Sequence, residues 1–162
     1  MVQTLNIKKE FVRKRDKLFQ ENHRQKDSFQ FSVSYSLLVE EYILKLSLDE
    51  KFDFVLASAG SFSRRELSPF SDIDLMFITD SVETNKDKIS NLVTKFWDNG
   101  LEASHTVREF SDIKKYLDTD LHTFTQFFET RFLLGKEPLY REWNRTLFSL
   151  ISDDIKAKLI IV

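Results

Sequence analysis

Apolar residues recur at helical spacing twice near the start of the chain. From Leu5 to about Asn22, sparse apolar positions (Ile7, Phe11, Leu18, Phe19) sit in charged sequence, which predicts an amphipathic helix. Ser28 to Leu46 repeats the pattern with Phe31, Tyr35, Leu38, Tyr42 and Leu46. The period then changes. Phe52 to Ser58 is a short apolar run, as expected of a buried strand, and Ile73 to Thr79 is another. Lys86 to Asn99 predicts a helix with Ile89, Leu92, Val93, Phe96 and Trp97 on one side, ended by Gly100. Leu101 to Arg108 alternates, with Leu101, Ala103, His105 and Val107 on one face and Glu102, Ser104, Thr106 and Arg108 on the other. The rest reads as helical. A short segment spans about Ser111 to Leu117, and a longer one runs from an Asp120 N-cap to Leu134, closed by Gly135. A last helix follows Pro138.

Strands interleaved with helices predict an α+β or α/β layout: a small mixed sheet with flanking helices and helical N- and C-terminal segments. No linker, repeat or low-complexity stretch interrupts it. The expected organisation is a helical segment over 1–50, a core over 51–117 and a C-terminal helical segment over 118–162.

Composition narrows the functional classes. The 162 residues suit one domain. Sixteen Phe predict a core filled by aromatic rings. A net charge of -2 supplies no global field for DNA or RNA, so no DNA partner is expected. The basic run Lys8, Lys9, Arg13, Lys14, Arg15 and Lys17 reads as a solvated helix face. The absence of Cys excludes disulfides, thiol catalysis and zinc–thiolate sites. No apolar run approaches a membrane span, and the first residues lack a signal-peptide pattern, so a cytoplasmic location is the expectation.

The chemistry concentrates between Ala59 and Ile78. Asp72 and Asp74 stand two apart at the start of an apolar strand, so period-two geometry points both carboxylates to one face. Side-by-side carboxylates repel and stay ionised most easily around a hard divalent cation, which makes this strand start a Mg²⁺ platform. Gly60-Ser61 ends the preceding strand. A glycine there lets the backbone approach a ligand, the N–H groups beyond it can hold a phosphate, and Arg64 and Arg65 can neutralise triphosphate charge. A lone Asp-x-Asp is most often a solvated pair, and a lone Gly-Ser most often a loop. The order strand, Gly-Ser, ten residues, Asp-x-Asp, strand is what favours a metal site.

Gly-Ser followed by Asp-x-Asp at this distance resembles the polymerase-β-like nucleotidyltransferase superfamily. Arg64, Glu66-Leu67, Pro69 and Ser71-Asp-Ile-Asp-Leu75 more specifically resemble the bacterial PII-protein uridylyltransferase/uridylyl-removing enzymes. So do Trp97-Asp98, Gly100-Leu-Glu102, His105, Val107-Arg108, Asp120-Leu121, Glu129-Thr-Arg131 and Leu133-Leu-Gly135. The resemblance runs along nearly the whole chain. It departs at Ser61, Ser63 and Arg65, where that family usually has glycines. It departs also in length, since family members are several times longer and carry hydrolase and sensing domains. With only His23, His105 and His122 and no His-Asp pair, uridylyl removal is not expected of this chain.

The resemblance implies a polymerase-β-like nucleotidyltransferase fold and transfer of UMP from UTP to a tyrosine of a PII-type protein in nitrogen regulation. It implies two Mg²⁺ on Asp72 and Asp74 and phosphates over Gly60, Ser61, Arg64 and Arg65. The superfamily also calls for a third acid on a neighbouring strand. Glu102 is assigned to it, with Glu109 and Asp112 as substitutes. Arg108 is a further candidate for nucleotide or phosphate, His105 is expected to pack, and Glu129 and Arg131 are expected to anchor the helical segment to the sheet. Two other readings stand beside this one: a minimal nucleotidyltransferase acting on another protein, an RNA end or a small molecule, and an inactive relic that only binds nucleotide.

Overall fold

The computed structural model describes residues 2–25, 27–48 and 50–151. Two long helices come first, α1 (Val2–Gln25) and α2 (Ser28–Leu46). Asp27 caps α2 by accepting the Gln30 N–H at 3.0 Å. Phe11 stacks on Tyr42 with ring centroids 4.0 Å apart, and the Tyr42 hydroxyl donates to the Asn99 carbonyl at 2.7 Å. Aromatic packing thus holds the helix pair together, and the Tyr42 hydrogen bond is one of several that tie it to the rest, with the Leu67 N–H donating to the buried Ser36 hydroxyl at 3.3 Å. Outside that contact Lys14 and Lys45 each pair with both Glu10 and Glu41. Those pairs are largely exposed and contribute little to stability.

The remaining elements are β1 (Val55–Ala59), the single turn α3 (Gly60–Ser63), β2 (Ile73–Thr79), α4 (Val82–Asp98) and β3 (Ala103–Glu109). After them come α5 (Phe110–Thr119), α6 (Leu121–Gln126), β4 (Thr130–Gly135) and α7 (Glu137–Ser149). The sheet order is β3-β2-β1-β4, with β2 and β3 parallel and the other two pairings antiparallel. This is the expected α+β class with a small mixed sheet flanked by helices.

Strand alternation sends side chains to two cores. Leu56, Leu75, Phe77 and Leu133 pack with α1, α2 and α4 on one face. Val55, Ala57, Met76 and Ile78 pack with α5, α6 and α7 on the other. Aromatic rings fill both, as the phenylalanine content predicts. Phe54, Phe62, Phe77, Phe124, Phe127 and Trp143 are fully buried. No described helix is long and apolar enough to cross a membrane.

One expected element is overturned. The helix read from Asp120 to Leu134 stops at Gln126, and Thr130–Gly135 is an edge strand against β1. The stripe Phe124, Phe127, Phe128, Phe132 has helical spacing, yet its last member lies on β4. Backbone pairing along β1, from Ala59↔Thr130 to Val55↔Gly135, overrides that short-range pattern. The expected anchoring therefore comes partly from the sheet itself. Arg131 leaves β4 to pair with Glu40 of α2 at 3.0 Å.

Candidate active site

β1 ends where Gly60 adopts φ +53°, a conformation that side chains rarely tolerate. A Cβ placed there would lie 3.3 Å from Asp74 Oδ2. The bare glycine therefore leaves open the space beside that carboxylate. The Gly60 N–H donates to the Glu129 carbonyl at 3.0 Å, so phosphate contacts from this backbone would have to begin at Ser61, in the first turn of α3.

Asp74 is the second residue of β2 and sits beside Ser104 of β3 in the parallel register. The Ser104 hydroxyl donates to Asp74 Oδ1 at 2.5 Å. Two residues along, Met76 sits beside Thr106. Alternation brings these side chains to the face covered by α5 to α7, near an open cleft of ≈ 240 Å³. Its lining includes Gly60, Asp74, Ser104, Thr106, Gln126 and Glu129.

The other sequence candidates fall around this cleft rather than in its lining. Asp72 and Glu102 both precede their strands, one step beyond the Ile73↔Ala103 rung, and both are exposed. Their parity is that of Asp74 and Ser104, but no ladder continues to them. Arg64 bridges Glu66 and Glu129, at 2.8 Å each. The hydrogen bond it donates to Glu66 and the charge of Glu129 push its guanidinium further above its ordinary value. Arg65 turns toward α2, 3.7 Å from Glu40. Arg108 lies over the rings of Tyr116 and Phe127, at 5.1 and 5.8 Å, and its buried Nε has no hydrogen-bond partner among the described residues. Glu109 and Asp112 are engaged as a capping box for α5, and Glu109 also accepts the Val82 N–H at the start of α4. His105 is exposed and meets Phe77 and Trp97 edge-on.

Arg65 has φ +59° at the end of α3. Its N–H reaches the Phe62 carbonyl at 3.1 Å, and the Glu66 N–H reaches the Ser61 carbonyl at 2.8 Å. These two bonds form a Schellman end, whose left-handed residue is usually glycine. Arginine takes the glycine's place here while the backbone keeps the glycine's conformation.

Apart from the Met76 thioether, the side-chain donors lining the cleft are oxygens and an amide, with no imidazole or thiolate, which suits a hard cation such as Mg²⁺. Among the described residues no group of three His, Asp or Glu could hold a metal unaided. Mg²⁺ commonly takes one or two protein carboxylates and completes its shell with phosphate oxygens and water. The space that Gly60 leaves beside Asp74 Oδ2 fits such an ion.

Ser104, Thr106, Gln126 and Glu129 were not among the site candidates in the sequence. Alternation put Ser104 and Thr106 on the polar face of their strand but could not supply the register against β2. Gln126 ends α6 and Glu129 lies in the turn before β4, a turn that nothing local marks.

No protein-family model matches the chain. It is similar to three proteins each named bifunctional uridylyltransferase/uridylyl-removing enzyme. The one from Pseudomonas fluorescens is 36% identical over 97 residues, 59% of this chain and 11% of that protein. That from Pseudomonas entomophila is 37% identical over 86 residues, 52% of this chain and 10% of that protein. That from Haemophilus influenzae is 28% identical over 112 residues, 68% of this chain and 13% of that protein. The aligned stretch is thus shorter than the nearly full-length resemblance read from the motifs, and the chain spans about a tenth of the length of these curated relatives. Within that stretch the chain is a sequence relative of the bifunctional uridylyltransferase/uridylyl-removing enzymes.

Proposed function

We propose that this chain carries a Mg²⁺-dependent nucleotidyl-transfer site that moves UMP from UTP to a tyrosine hydroxyl of a PII-type signalling protein. The observation that carries the reading is the placement of the Asp74 carboxylate beside the Gly60 bend, in a cleft whose lining includes the side chains of Ser104, Thr106, Gln126 and Glu129. The uridylyl group is taken from the names of the relatives, and the tyrosine of a PII-type protein from the family resemblance in the motifs. Asp74 would hold the cation, with Asp72 and Glu102 approaching from the adjoining strand starts. Backbone N–H groups from Ser61 onward and the Arg64 guanidinium would take the triphosphate oxygens, with Arg65 and Arg108 outside the direct contact shell. The bound cation supplies charge neutralisation at the phosphates and lowers the pKa of the acceptor hydroxyl. The acceptor oxygen bonds to the α-phosphorus, the α–β bridging P–O bond breaks, pyrophosphate leaves with the electron pair, and the hydroxyl proton passes to solvent.

The test is incubation with labelled UTP, Mg²⁺ and the PII-type protein of the same cell, beside the Asp72→Asn/Asp74→Asn double variant. Label on the PII-type protein with the parent chain and none with the variant is expected. Transfer that survives the double substitution overturns the mechanism. A second reading, a nucleotide-binding relic, is favoured by the Ser104 hydroxyl standing beside Asp74 where the superfamily resemblance calls for an acid. It predicts UTP binding that is weak or independent of Mg²⁺ by titration, with no transfer to any acceptor.

A further inference from the structure

We propose that Glu129 is the second carboxylate of the cation site, and that Arg64 masks it until a triphosphate arrives. The inference rests on the transferase reading above. Four observations carry it. Glu129 lines the same cleft as Asp74. Its backbone carbonyl accepts the Gly60 N–H at 3.0 Å, while the open side of Gly60 faces Asp74 Oδ2, so the two residues flank one glycine. The start of β4 holds Glu129 in place, because Thr130 pairs with Ala59 directly before that glycine. The rival acids are placed elsewhere: Asp72 and Glu102 precede their strands outside the cleft lining, and Glu109 and Asp112 are committed to helix caps.

Arg64 supplies the mask. It holds Glu129 at 2.8 Å through NH1 and Glu66 at 2.8 Å through Nε. Both pairs are about half exposed, so breaking one costs little. A triphosphate brings several anionic oxygens, which suit a guanidinium fork better than a single carboxylate oxygen does. Arg64 can transfer NH1 to a phosphate oxygen while Glu66 keeps its Nε tethered. Glu129 is then free, and with Asp74 it balances the two charges of one divalent cation. Cation and nucleotide binding become mutually favourable, because each removes an obstacle to the other.

The experiment is titration of the full chain with Mn²⁺ alone at low ionic strength, read by the electron paramagnetic resonance of free Mn²⁺. Glu129→Gln, Arg64→Ala and Asp74→Asn are compared with the parent chain, and thermal melts check folding. Glu129→Gln is expected to weaken Mn²⁺ binding about tenfold or more, and Arg64→Ala to tighten it several-fold. Unchanged affinity in Glu129→Gln, with binding lost in Asp74→Asn, overturns the role of Glu129 and leaves the transferase reading standing. Unchanged affinity in Asp74→Asn overturns the cation site itself. Should Glu129→Gln fail to fold, Arg64→Ala still decides: weaker or unaltered Mn²⁺ binding there overturns the mask.

Discussion

α4 and α3 end in the same hydrogen-bond motif with different residues at its critical position. At the end of α4, Gly100 has φ +75°, its N–H reaches the Trp97 carbonyl at 2.8 Å, and the Leu101 N–H reaches the Phe96 carbonyl at 2.9 Å. Phe96 and Leu101 are both buried, which gives the motif its usual apolar clasp. At the end of α3 the same two bonds form around Arg65 at φ +59°. The scaffold end uses the residue that fits without strain. The end beside the cleft uses one that does not, and holds it by pairing with Glu40 of α2. Among the described residues, the one non-glycine residue with positive φ thus lies in the neighbourhood of the candidate site, as is common where surrounding structure over-determines a local conformation.

The comparison can be broken first at Gly100. Gly100→Arg makes the two ends alike, and its Cβ would meet only the flexible Lys8 side chain at 3.4 Å, so the cost is torsional. A loss of about 1–2 kcal/mol is expected, the cost of a left-handed conformation for a residue with a Cβ. Urea unfolding measures it, and an unchanged midpoint would remove the strain argument. The reverse change, Arg65→Gly, should raise stability by roughly 0.5 kcal/mol, since relief of that strain exceeds the added freedom of glycine in the unfolded chain. A fall in stability would mean that the Glu40 contact outweighs the backbone.

The smallest effect concerns a helix start. Asp120 caps α6, and the hydrogen bond from the Thr123 side chain, followed by that from its backbone N–H, holds its carboxyl below the ordinary value. A folded-state value below the unfolded one means that the cap stabilises above the unfolded pKa and is lost as pH falls through the lowered folded value. An NMR titration of the Asp120 carboxyl should show that depressed midpoint, and Thr123→Val should move it back up. No such response is expected at α3, whose first residue has no side-chain cap.

Much of this arrangement was legible in the residues. The α2 limits at Ser28 and Leu46 and the β2 limits at Ile73 and Thr79 follow from periodicity that changes where the elements change. Gly60 and Asp74 were legible because their chemistry is encoded within a short stretch. Glu129 was not, since it reaches the cleft through the pairing of β4 with β1. Phe-Phe-Glu-Thr-Arg-Phe-Leu-Leu is an apolar run that fits helix and strand spacing equally well, so only the tertiary partner decides. Glu102 shows the converse limit. Alternation gave its side of the strand correctly but not the rung at which the ladder begins.

The hydrogen bond from Ser58 to the Arg131 carbonyl spans 73 positions of sequence, and the Arg64–Glu129 pair spans 65. Contacts of such separation are slow to form, because the intervening chain must be ordered before they are rewarded. The α1–α2 hairpin needs no such closure. A refolding chain should therefore regain the helical signal of α1 and α2 early and complete the wall containing Glu129 among its last events.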